Sequence, residues 1–179
     1  MPAGQQKSLC LTLRHNGCVH VLRTTCEVGE GFDLAKLPAP PFWSPFTAIW
    51  DTGATGCVIT DAVVQQCKLA PIGMTRVSGV HGTQDAEVYV VSLRLPNGVG
   101  FNSVEVTKGQ LAGADMLIGM NVITTGDFAL TNLNGNTVFS FRHPSQHEID
   151  YVKDVQQNSP PQNVPHAMNR ASRRAMKKR

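Results

Sequence analysis

The stretch Phe46-Thr47-Ala48-Ile49-Trp50-Asp51-Thr52-Gly53-Ala54-Thr55-Gly56-Cys57-Val58-Ile59 decides how this chain is read. An apolar run stops at an acid, and two residues later a glycine lets the backbone turn tightly. A carboxylate at such a bend is presented outward and held rigidly. Val58-Ile59 resumes a short strand after the turn. Thr60 then suits a helix N-cap with Asp61 in the first turn. That pattern predicts a short helix from Asp61 to Lys68, with Ala62, Val63 and, as a third candidate, Val64 inward.

Working outward, residues 8–29 read as a β-hairpin. Leu9, Leu11 and Leu13 fall at period two, Arg14-His15-Asn16-Gly17 supplies the turn, and Val19, Val21 and Arg23 continue the return strand. Residues 29–45 carry Pro38, Pro40, Pro41 and Pro45 and read as an irregular excursion, with Phe42, Trp43 and Phe46 packing it down. Residues 74–95 read as two strands around a glycine-bearing tip, Ser78-Gly79-Val80-His81-Gly82. The second arm alternates through Val88, Val90, Leu93 and Leu95. Pro96-Asn97-Gly98 is a turn, and Phe101 to Val106 a further strand with Phe101, Val104 and Val106 toward the core. Met116-Leu117-Ile118 is an apolar strand ending on Gly119, followed by a short helix or turn from Met120 to Thr125. Phe128–Leu133 and Thr137–Phe141 form a hairpin across Asn134-Gly135.

The inventory is mainly β, with one or two short helices and no βαβ period, as in a closed or sandwich-like β domain. Its 179 residues fit one domain with tails, and 41% hydrophobic residues are enough for a core. The domain is expected over residues 1–155. Residues 156–179 form a linker rich in Gln, Asn, Ser and Pro, unable to build a core, and then a basic tail. Charge separates the same way. Residues 1–168 hold ten Lys or Arg against thirteen Asp or Glu, whereas residues 169–179 hold six basic groups and no acid. The tail suits an anionic partner, nucleic acid or an acidic surface; a merely solubilising end fits it equally.

The five cysteines are odd in number and follow no secretory leader, which favours a reducing, cytoplasmic setting over a disulfide scaffold. Cys10, Cys18 and Cys26 read as small buried or half-buried strand residues. No Cys-x-x-Cys pair occurs, and neither His15 with His20 nor His143 with His147 is completed by an acid or cysteine at ligand spacing, so no metal or other cofactor is expected. No apolar run approaches a membrane span.

Taken together, these features resemble the retropepsin-like aspartic proteases, in a bacterial or phage-like single-domain form. Ile49 to Ile59 is similar to the family's catalytic strand and loop, Met74 to Leu95 to its flap hairpin, Asp115 to Ile123 to its apolar-apolar-glycine segment, and Phe128 to Phe141 to its last hairpin. The resemblance spans roughly residues 8–143 and implies a single-lobe closed β domain.

It also implies roles. Asp51 would be the catalytic acid. The chain holds one Asp-Thr-Gly, so a working pair needs the Asp51 of a second copy in a homodimer. Two carboxylates that close cannot both ionise easily and share a proton. Thr52 would bond across the two-fold axis, Gly53 would allow the turn, and Gly119 would let Leu117-Ile118 cross close behind the loop. Ala54 offers no hydroxyl to the outer carboxylate oxygen, which predicts an acidic-to-near-neutral pH optimum. Thr55, Ile118 and the flap residues Gly79, Val80, His81 and Gly82 would meet a peptide or polyprotein substrate; for His81 a solvent-facing place is favoured. Outside this resemblance, Asp51 reads as a turn acid, Thr52 as a strand threonine and Gly119 as a strand-ending glycine.

Two positions depart from the family pattern. Thr55 stands where viral relatives commonly have an acid that binds substrate backbone. Trp50 stands where a smaller aliphatic is usual, and needs room in the outer layer. The leading expectation is an aspartic endopeptidase acting on extended, largely apolar peptides. The alternatives are a catalytically weak or inactive homodimeric peptide-binding module, and a nucleic-acid-associated adaptor acting through the tail.

Overall fold

The computed structural model describes residues 8–32, 42–79, 82–96 and 98–158. Val80, His81 and the basic tail lie outside these residues. The strands are β1 (Leu9–Arg14), β2 (Leu22–Glu30), β3 (Ser44–Trp50), β4 (Cys57–Ile59), β5 (Gly73–Gly79), β6 (Gly82–Arg94), β7 (Gly100–Lys108), β8 (Met116–Ile118), β9 (Asp127–Thr131) and β10 (Val138–His143). The helices are α1 (Asp61–Gln66), α2 (Met120–Ile123) and α3 (Tyr151–Asn158). The protein is thus mainly β, with few and short helices.

One sheet runs in the order β2-β3-β8-β4-β7-β6-β5, and β6 returns to pair with β2 from Glu27↔Arg94 to Glu30↔Val91. That pairing closes the sheet into a single-lobe barrel, consistent with the retropepsin fold. β6 can close it because it is 13 residues long. Its exposed first half pairs with β5, and its buried second half serves both β7 and β2. The alternation read through Val88, Val90, Leu93 and Leu95 is interrupted there. A bulge lies between Val91 and Leu93, and Val91, Ser92 and Leu93 are all buried in succession. The Ser92 hydroxyl sits 3.0 Å from both the Glu30 and the Asn102 carbonyl oxygens, which supplies the polar contact that the buried bulge requires.

A second sheet, β1-β10-β9, packs onto β3 through Trp50. The Trp50 ring lies 5.0 Å from Phe139, 5.1 Å from Phe141 and 6.1 Å from Phe128 between centroids. Its Nε1–H donates to Thr24 Oγ1 at 3.0 Å. The outer layer therefore has the room that a tryptophan before Asp51 demands.

This sheet overturns the hairpin read over residues 8–29. β1 pairs with β10, in register Leu11↔Phe141 and Leu13↔Phe139, while β2 pairs with β3 and β6. The Asn16-Gly17 turn exists, with Gly17 at φ 117°, but it extends the β10 ladder: His15 N–H donates to Thr137 O and Thr137 N–H to Gly17 O. Pairing with β10 sets Leu11 and Leu13 opposite Phe141 and Phe139, cross-strand contacts to two fully buried rings that the local hairpin would not supply. The hairpin across Asn134-Gly135 forms, with both residues at positive φ, but its first strand stops at Thr131 rather than Leu133, and Leu133–Gly135 is a 3-10 turn inside a longer connection to Val138.

Smaller corrections follow from burial. α1 ends at Gln66 rather than Lys68, and only Val63 of its residues is fully buried; Ala62 is exposed. Thr60 is at the N-cap position, yet its side chain makes no cap bond; its carbonyl accepts the Val63 and Val64 amides instead. Phe42 is exposed, and Trp43 lies under the Arg94 guanidinium at 4.2 Å. Cys26 is buried, but Cys10 and Cys18 are exposed; all five thiols are free.

The chain divides into two compact units, residues 1–146 and 147–179. The first holds the barrel. In the second, the Asp150 carboxylate accepts the Val152 and Lys153 amides and so caps α3. Among the described residues, no helix is long and apolar enough to cross a membrane.

Candidate active site

Asp51 sits where β3 leaves the sheet. β3 runs parallel to β8, with Trp50 opposite Ile118, and the Asp51 N–H extends that ladder by donating to Ile118 O at 3.0 Å. β8 is buried at every position and holds β4 antiparallel on its other side. The two ends of the Asp51 loop, Trp50 and Cys57, are thereby fixed to one central strand and its neighbour.

Within the loop, Gly53 N–H donates to Asp51 Oδ1 at 2.8 Å, and Ala54 N–H approaches Asp51 O at 3.4 Å. This is the local side-chain-to-backbone turn that aspartate favours, and it orients the carboxylate. A Cβ at Gly53 would stand 3.2 Å from Asp51 Oδ1, so a larger residue would crowd the group being positioned. Asp51 is partly exposed, while Thr52, Gly53 and Thr55 are open to solvent.

The rest of the loop rests on α2. The first amides of a helix have no partner within it. Here Met120 N–H donates to Ala54 O at 2.8 Å and Asn121 N–H to Thr55 O at 3.1 Å. Gly119 makes this approach feasible, because a Cβ there would lie 2.3 Å from Gly56 O and 3.0 Å from Ala54 O. Asp51, Thr52, Gly53, Ala54, Thr55, Ile118 and Gly119 are thus brought together.

Two residues of this assembly carried no such role in the sequence. The Cys57 thiol donates to Asn121 Oδ1 at 3.0 Å and accepts the Gly119 N–H at 3.3 Å; Asn121 Nδ2 donates in turn to Glu105 O of β7 at 3.0 Å. Burial pushes the Cys57 thiol up to about 11, against the Gly119 amide, which favours the thiolate. The thiol therefore stays protonated and able to donate. The only signals in the sequence were the inward parity of Cys57 and a lone amide side chain just after Gly119.

Gly79 and Gly82 face each other at the end of the β5–β6 ladder, at the opposite end of the strand order from β2 and β3. Gly82 has φ 106°, a conformation suited to glycine. Ser78 and Thr83 hydroxyls meet at 3.1 Å across the hairpin, and Arg76 pairs with Asp85 at 3.4 Å. At the base of this hairpin, Lys108 bridges Glu87 and Asp61, and Tyr89 donates to Glu87. The Lys108 bond holds Glu87 below the usual carboxylate range, and the same bond raises Lys108. Among the described residues, no group of three or more His, Cys, Asp or Glu is placed to hold a metal ion.

A single-lobe closed barrel carrying an Asp-Thr-Gly loop braced by a glycine crossing defines a retropepsin-like, aspartic-protease type of fold. The family model described as "gag-polyprotein putative aspartyl protease" matches residues 44–125, from the first residue of β3 to just past α2. No curated protein matches the chain. Among solved structures, a retropepsin-like aspartic protease from Rickettsia conorii aligns at 10% identity and TM-score 0.46, covering 78% of this chain and 98% of that one. The Simian Foamy Virus (mac) protease aligns at 18% identity and TM-score 0.39, covering 57% and 91%. The retroviral protease-like domain of Ddi1 from Leishmania major aligns at 16% identity and TM-score 0.39, covering 68% and 95%.

Proposed function

We propose that this chain is an aspartic endopeptidase that hydrolyses extended, largely apolar peptide segments, working as a homodimer with one Asp51 from each copy. The observation that carries this reading is the Asp51 loop: a single partly exposed carboxylate, oriented by the Gly53 amide and backed by a glycine crossing. The form proposed is a bacterial or phage-like single-domain one, and Thr55, where viral relatives commonly carry an acid, keeps their cleavage specificity from being carried over. Five free thiols suit a reducing, cytoplasmic setting.

In the dimer one Asp51 carboxylate takes a proton from water while the water oxygen attacks the scissile carbonyl carbon. The other, protonated Asp51 donates to the carbonyl oxygen, giving a tetrahedral diol. The Asp51 that took the water proton then passes it to the amide nitrogen as the C–N bond breaks, while the other Asp51, now ionised, takes a proton from a diol hydroxyl; acid and amine leave and the pair again shares one proton. Thr52 would link the two loops, and the β5–β6 hairpin would cover a peptide held as an added strand.

The test is incubation of the purified chain with a mixed peptide library from about pH 3 to 8, beside Asp51→Asn, with products read by mass spectrometry. Cleavage by the parent, strongest at acidic to near-neutral pH and at least about a hundredfold lower in Asp51→Asn, is expected. A dimeric parent that cleaves nothing would sink the proposal.

A further inference from the structure

We propose that Cys57, braced by Asn121, is a positioning residue for Asp51: its thiol locks the loop onto the start of α2 and so fixes where the carboxylate stands. This deepens the endopeptidase reading and rests on it.

The loop from Asp51 to Gly56 meets α2 through two backbone bonds, Met120 N–H to Ala54 O and Asn121 N–H to Thr55 O. Those backbone bonds and the strand pairings fix the ends of the loop but supply no side-chain tie between it and α2. Cys57, the first residue of β4, adds the side-chain tie. Its sulfur takes the Gly119 amide and gives its hydrogen to Asn121 Oδ1. Asn121 is held from its other end, since its Nδ2 donates to Glu105 O on β7, the strand whose Val106 lies opposite Cys57. The relay runs from β7 through Asn121 and Cys57 to Gly119, whose own crossing leaves no space behind the loop. Cys57 is 1% exposed and its bond from the Gly119 amide is buried, so water does not take the place of the sulfur there. An aliphatic residue would fill the volume but leave the Gly119 amide and the Asn121 oxygen without this partner.

A carboxylate that must share a proton with its twin across a two-fold axis tolerates little drift, because near-attack geometry is lost over about an ångström. The consequence falls on turnover rather than on substrate affinity.

The test uses the full chain with a peptide cleaved in the library experiment. Competent sites are counted by titration with a hydroxyl-bearing transition-state peptide analogue, so that loss of folded protein does not register as loss of rate. Cys57→Ala and Asn121→Ala are each expected to lower kcat roughly tenfold with KM within about twofold, and Cys57→Ser, which keeps a donor and an acceptor, to recover most of it. In parallel, amide hydrogen exchange at Met120 and Asn121 should quicken about tenfold in Cys57→Ala and return toward the parent rate in Cys57→Ser. Should Cys57→Ala not fold, Asn121→Ala carries both measurements, since Asn121 is exposed on its outer side and its loss opens no core cavity. Unchanged kcat in the alanine variants, or a Cys57→Ser as impaired as Cys57→Ala, overturns the proposal. A parent without Asp51-dependent cleavage removes the endopeptidase reading alone, and the exchange rates then decide whether the thiol locks the loop.

Discussion

A methyl group added at Gly119 would stand 2.3 Å from the Gly56 carbonyl oxygen and 2.5 Å from its carbon. Both obstacles are backbone, and neither can rotate aside. Gly119→Ala must therefore push the Asp51 loop off α2 or move β8, which is buried on every side. We expect it to destabilise the fold by about 2–4 kcal/mol in urea unfolding, and to remove cleavage even where the fold survives. Gly56→Ala is the control at the other side of the same contact. A Cβ there meets nothing within 4 Å, so a change within about 0.5 kcal/mol is expected. Equal losses in the two variants would show that the crossing is not what makes Gly119 necessary. At this scale the sequence was informative where one residue type has one use. An acid followed by threonine and glycine announced the turn. It was silent on Cys57 and Asn121, whose role exists only once β4 and α2 lie side by side, 62 residues apart at Cys57 and Gly119.

Among the elements, those whose partners are local were legible and those whose partners are distant were not. β9 and β10 pair across Asn134-Gly135, as the turn signal predicts, through a connection longer than that turn. β1 carries an equally good turn signal at Asn16-Gly17, yet it pairs more than a hundred residues away, from Leu9↔His143 to Arg14↔Val138. Alternating leucines specify a half-buried strand, but not which neighbour completes it. The far end of that ladder is secured by Asp127. Its carboxylate takes the Ser145 hydroxyl at 2.5 Å, the Gln146 amide at 2.9 Å and Arg142 Nε at 2.8 Å. Burial alone would raise Asp127, but these bonds and the Arg142 charge outweigh it and hold the group well below the ordinary carboxylate range. The sign follows from linkage. A depressed folded value means that the stabilisation is complete above the unfolded value of about 4 and is lost as the pH falls from there toward the folded one. The parent should thus lose melting temperature between about pH 4 and 2 more steeply than Asp127→Asn, which starts lower and has less to lose. Parallel melting curves across that range would show that Asp127 does not anchor β9 to β10.

For the whole molecule, the barrel closes on itself through β2 and β6, so the fold is complete in one copy while the proposed chemistry is not. One Asp51 cannot act as base and acid at once, and these 179 residues hold a single Asp-Thr-Gly, so the second carboxylate is proposed to come from another copy. Closed rings of identical subunits most often take two-fold symmetry, which is also the arrangement that brings a residue against its own twin. Mixing experiments separate this from activity within a single copy. A fixed amount of parent is combined with an equal amount of Asp51→Asn, allowed to exchange subunits, and assayed on a cleaved peptide. If only parent–parent pairs are competent and pairing is random, activity should fall to about half that of the parent alone, and further additions of Asp51→Asn should lower it in proportion to the parent fraction. Dilution of the parent gives the companion result: specific activity should decline once the concentration drops below that at which the copies separate. An activity indifferent both to the added variant and to dilution would mean that one chain suffices, and that a group other than a second Asp51 supplies the missing acid.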